Sequence, residues 1–122
     1  MKQAEIEGGY VLVARALTGS KLWECNANAL KVGMYLLLSA KFEDNGTLKR
    51  GQCRKSYCII AEDCGISFKA ARIAVSTLQD IDFCECNAKN RKACQGQVIT
   101  ISKYETYQDP TLYVVRKVDT DG

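Results

Sequence analysis

The stretch from Ser56 to Asp80 constrains the fold most. Ser56 stands as an N-cap ahead of Ile59, Ile60 and Ala61, which predicts a helix. Cys64-Gly65-Ile66-Ser67 then closes that helix with a glycine and opens another with a capping serine. The second helix, Phe68 to about Asp80, carries Ala71, Ala74, Val75 and Leu78 on one face. Two short helices joined by so tight a turn form a helix-turn-helix.

Beyond Asp82 the pattern changes to β. Phe83-Cys84-Glu85-Cys86 and Gln97-Val98-Ile99-Thr100-Ile101-Ser102 both alternate, with a polar loop from Asn87 to Gln95 between them, so a hairpin with a long tip is expected. The expected fold is therefore α+β and mostly helical: a winged helix-turn-helix with a C-terminal β-hairpin wing. Upstream, Leu30, Met34, Leu37 and Leu38, with Tyr35 and Phe42 behind them, predict a central buried helix from about Asn28 to about Phe42. Glu43-Asp44-Asn45-Gly46 reads as a turn, and Thr47 to Cys53 as a brief strand. Tyr10 to Leu17 suits a short strand or a helical turn equally. Leu22-Trp23 is expected to pin the N-terminal segment to the core. A domain over 1–108 and a fraying tail over 109–122 complete the expected organisation.

Composition removes most alternatives. A chain of 122 residues has room for one domain. With no histidine, Ser-His-Asp triads and His-assisted cysteine nucleophiles are excluded, and no enzyme activity or cofactor is expected. No apolar run approaches the ~20 residues that cross a bilayer, and Met1 to Gly9 is too polar for a signal peptide, so a cytoplasmic protein without membrane contact is expected. Seven cysteines cannot all pair within one chain, and reduced thiols are the default expectation. A zinc site from Cys84, Cys86 and Cys94 with Cys25 or Cys53 has only one closely spaced pair, whereas structural zinc prefers two, so no metal is expected. The net charge of +3 conceals an asymmetry: residues 49–96 carry nine basic and five acidic side chains, while the flanking segments are balanced or slightly acidic. Such a segment suits an anionic partner.

A family resemblance joins these observations. Gly51-Gln52, Ser56, Ile60-Ala61-Glu62-Asp63, Gly65-Ile66-Ser67, Ala71-Arg72 and Leu78, followed by Val98-Ile99-Thr100-Ile101-Ser102-Lys103-Tyr104-Glu105-Thr106-Tyr107-Gln108, resemble the N-terminal winged-helix domain of phage and prophage replication-initiation proteins, the replisome organisers related to DnaD-like primosome proteins. Gly9-Tyr10, Arg15, Leu22-Trp23 and Tyr35-Leu36-Leu37-Leu38 are similar as well, so the resemblance spans roughly 9 to 108. It implies binding of double-stranded DNA, with the second helix in a major groove and the hairpin along the backbone. Lys69, Arg72 and Ser76 then lie outward on that helix, with Ser67 at its start. Lys89, Arg91 and Lys92 form a basic wing tip, and Arg54, Lys55 and the helix start at Ser56 form a further phosphate site. Ile73 and Ala70 depart from the polar residues common in the family, so base readout is expected to be thin. Family proteins usually continue into a second domain that engages the replicative helicase or its loader, which makes a replication protein a possible further partner.

Two other roles suit the same scaffold. One is a small transcriptional regulator acting as a homodimer on a palindromic operator. The other is a phage-encoded protein that binds and blocks a host defence protein, towards which Phe68 and Ile73 on the outward helix face point.

Overall fold

The computed structural model describes residues 10–41, 48–86, 96–104 and 108. From Tyr10 the chain runs without regular structure into a 3-10 turn at Arg15–Gly19 and a four-residue helix α1, Lys21–Glu24. Helix α2 spans Ala27–Ser39, with the Asn26 side chain accepting from the Ala29 amide at 2.9 Å. Strand β1 is Gln52–Lys55, α3 is Tyr57–Cys64, α4 is Phe68–Asp80, β2 is Cys84–Cys86 and β3 is Gln97–Ile101. The three strands form an antiparallel sheet in the order β1-β3-β2, so the architecture is α+β.

The α3–α4 unit forms as its caps dictate. Ser56 and Ser67 accept from the Ile59 and Ala70 amides at 3.1 and 3.0 Å. Gly65 ends α3 at φ 70°, a left-handed conformation natural to glycine. Ala71, Ala74, Val75 and Leu78 are buried against α2 and α3. At its far end α4 stops at Asp82, φ 60°, and the Phe83 amide donates back to the Leu78 carbonyl at 2.9 Å.

Helix α2 is central but turned from the expected phase. Its buried residues are Ala29, Val32, Gly33, Leu36 and Leu37, while Leu38 is 63% exposed. Small residues decide this: a Cβ at Gly33 would lie 2.8 Å from Leu22 and 3.2 Å from Leu78, so Gly33 lets α1 and α4 close in. The helix also ends at Ser39, short of Phe42, which lies outside the described residues together with the 43–46 turn. Leu22 is buried as expected, but Trp23 stands 47% exposed and does not pack in the core.

Of the brief strand expected over Thr47 to Cys53, Thr47 lies outside the described residues, Leu48 forms an isolated β-bridge, and β1 itself begins at Gln52. Gly51 adopts φ 84° and the Gln52 amide closes onto the Lys49 carbonyl at 3.0 Å, so β1 starts directly after this turn. Gly51 packs on the Tyr104 ring, where a Cβ would meet side-chain carbons at 2.8 to 3.3 Å. Past β3, the Gln108 amide group grips Leu12 from both sides: its Oε1 accepts from the Leu12 N–H at 2.7 Å, and its Nε2 donates to the Leu12 carbonyl at 2.9 Å. This contact ties the start of the described chain to its end.

Candidate nucleic-acid interface

With Ala71, Ala74, Val75 and Leu78 inward, helical periodicity turns Lys69, Arg72, Ile73 and Ser76 outward, and all four are exposed. The first two and a half turns of the helix thus present two cations, a hydroxyl and one branched apolar side chain. Phe68 meets Tyr57 edge-on, with centroids 5.9 Å apart, which joins the first residues of α3 and α4. The Ser67 oxygen already caps α4, so its hydroxyl hydrogen is what it offers a ligand. Asp80 closes the same helix with a negative charge at its far end, and Glu62 and Asp63 are exposed on α3. Positive potential therefore concentrates at the α4 N-terminal half.

The structure separates Arg54 from Lys55. Arg54 is exposed on β1, and a Cβ at Gly96 would lie 3.2 Å from its Cγ, so its stem runs beside the entrance to β3. Lys55 points the other way, its Nζ 5.3 Å from the centre of the Tyr35 ring. Tyr35 in turn donates its hydroxyl to Asp63, and burial together with that bond pushes its ionisation well above the ordinary range. Lys55 is thus half-buried in a contact linking β1 to α2. Ser56, read as part of the same phosphate site, is buried and caps α3. Lys89, Arg91 and Lys92 lie outside the described residues, as do the rest of the expected hairpin loop and the 109–122 tail.

Two concavities escaped the sequence reading. A hollow of about 300 Å³ lies beside Ile73, between Ala70 and Ala74 of α4 and Asn26, Ala27 and Asn28 at the start of α2. It places the exposed Asn28 next to the outward face of α4, a proximity created by α2–α4 packing that no local sequence pattern signals. A larger apolar groove, about 430 Å³, runs between the N-terminal segment and the α4–β2 turn, lined among others by Leu12, Leu17, Met34 and Phe83.

The thiols lie on and around the sheet. Cys53 and Cys84 are buried and Cys86 half-buried, with Cys53 and Cys86 both opposite Ile99 from the two sides of β3. Burial pushes the Cys53 thiol up to about 11, and the neighbouring Cys86 thiol together with burial raises Cys84 further. Cys58 is disulfide-bonded, which corrects the expectation that every thiol is reduced. Among the described residues, no three His, Cys, Asp or Glu side chains are grouped to hold a metal ion, and no helix is long and apolar enough to cross a membrane. Comparison with protein-family models, with curated proteins and with solved structures finds no match to this chain.

Proposed function

We propose that the chain is a winged-helix module that binds double-stranded DNA in the replication initiation of a phage or mobile element. The observation that carries this reading is the outward face of α4, where Lys69, Arg72 and Ser76 point away from the core on a helix held by the α3 turn. The element order α2-β1-α3-α4-β2-β3 and the strand order β1-β3-β2 are compatible with the scaffold. Helix α4 enters the major groove with Arg72 and Lys69 on guanine edges or phosphates, and the β2–β3 hairpin follows the backbone with Arg54 of β1 beside the start of β3. Affinity comes largely from counterion release, and the protein performs no covalent chemistry. The replication role rests on the resemblance carried by Ile99-Thr100-Ile101 and Tyr107-Gln108.

Fluorescence anisotropy of a labelled random duplex, titrated at several salt concentrations, tests the reading. The expected result is binding that weakens steeply with salt. Arg72→Ala should weaken it roughly tenfold, as expected for the loss of one bidentate contact. Changing Lys89, Arg91 and Lys92 together to Ala should flatten the plot of log affinity against log salt by about 2 to 3, close to 0.9 per phosphate contact. No binding at low salt would sink the DNA reading. It would favour the protein-blocking role instead, to which the apolar groove beside Leu12 and Phe83 offers a docking surface.

A further inference from the structure

We infer that Ile73 reads the C5-methyl group of a thymine in the major groove, so that the bound site contains an obligatory thymine within the three base pairs beneath α4. The inference rests on the DNA-binding reading of α4 and adds to it the identity of one base. Ile73 is 52% exposed, the only large apolar side chain of α4 that is, and it stands among Lys69, Arg72 and Ser76. From Lys69 to Ser76 the helix rises roughly 10 Å, the height of about three base pairs. Ile73 lies in the middle of that span, one turn beyond Lys69 and directly after Arg72.

The chemistry of the neighbours selects the occupant. Two cations on the same face call for a polyanion, and a sugar-phosphate backbone offers nothing to a branched alkyl group. Within a polyanionic duplex, the thymine methyl is the apolar group displayed in the major groove, and side chains that cannot hydrogen-bond discriminate there by contact with it. The shallow hollow beside Ile73 leaves its flank open on the α2 side, where a base edge can approach it. Base readout by this face is therefore apolar at Ile73 and polar at Arg72. Ile73 thereby becomes a source of specificity within the expected thin readout.

The test begins with selection of bound sites from a duplex pool with a random core, using the full chain and, in parallel, Ile73→Ser. The wild type should enrich a thymine at one fixed position that Ile73→Ser does not enrich. Replacing that thymine by deoxyuridine, which removes only the methyl, should weaken wild-type binding about fourfold, the worth of one buried methyl group. The same replacement should leave Ile73→Ser binding unchanged. Because Ile73 is exposed, its replacement should leave the melting curve in place, which separates loss of reading from loss of fold. Sites without a fixed thymine, or equal affinity for the thymine and deoxyuridine duplexes, would overturn the inference while leaving DNA binding intact. Failure to retain any duplex at low salt would overturn the DNA reading itself.

Discussion

At the scale of single residues, two glycines with positive φ separate conformational cost from steric cost. Gly65 ends α3 at φ 70° with open space where a side chain would be, so Gly65→Ala meets only the left-handed penalty of about 1 to 2 kcal/mol. Gly51 adopts φ 84° and additionally lies against Tyr104, which is 4% exposed and cannot swing away into solvent. Gly51→Ala therefore adds an overpacking term, typically ~1 to 3 kcal/mol, and should cost roughly twice as much in total. Urea unfolding of the two variants checks this; equal losses would mean that Tyr104 yields freely. The residue types were legible from the sequence at Gly65, where a capping serine follows two positions later. At Gly51 they were not, because the partner Tyr104 lies far along the chain, beyond β3.

At the scale of elements, legibility follows how locally each element is determined. Helices α3 and α4 have their caps and apolar faces written within a few residues, and they begin at the serines that the sequence singles out. Helix α2 depends on Ala29 and Gly33, small residues whose importance exists only once α1 and α4 are packed against them, so a search for large apolar residues finds the helix and misplaces its face. The candidate interface divides likewise: the outward placement of Lys69, Arg72 and Ser76 is periodic and readable, whereas the Lys55–Tyr35 contact and the Asn28 hollow depend on tertiary packing. The sheet makes a prediction of its own. The Cys53 thiol is protonated in folded and unfolded chains alike below about pH 9, and full stability is retained there. Between pH 9 and about 11 the unfolded chain gives up the proton while the folded strand holds it, so stability falls by about 2 to 3 kcal/mol. Cys84 on β2 and Tyr35 on α2 are displaced in the same direction and deepen the loss. Denaturation at pH 8 and pH 10.5 should show it, with Cys53→Ala lessening the difference; a flat profile would refute the account.

At the scale of the molecule, the described chain closes on itself at one amide. Gln108 is 3% exposed, and its side chain makes both hydrogen bonds to the Leu12 main chain, so a single residue after the sheet fixes the segment that lines the apolar groove. This gives a physical basis to the Tyr107-Gln108 ending singled out in the sequence: a glutamine supplies one donor and one acceptor at the spacing of a peptide group, and glutamate cannot supply the donor when ionised. Gln108→Ala leaves the Leu12 N–H and carbonyl without those partners in a partly buried place, a loss of about 1 to 3 kcal/mol. Gln108→Glu keeps the shape and the acceptor but sets a carboxylate against the Leu12 carbonyl, so it should be no better than alanine at pH 7 and should recover as the carboxyl is protonated. Amide hydrogen exchange supplies the local readout. Leu12 should lose protection in both variants, while Val75 and Leu78 in α4 slow or quicken only with global stability. If Leu12 exchanges as quickly in the wild type as in Gln108→Ala, the amide does not hold the N-terminal segment, and the groove beside it is not a fixed feature of the surface.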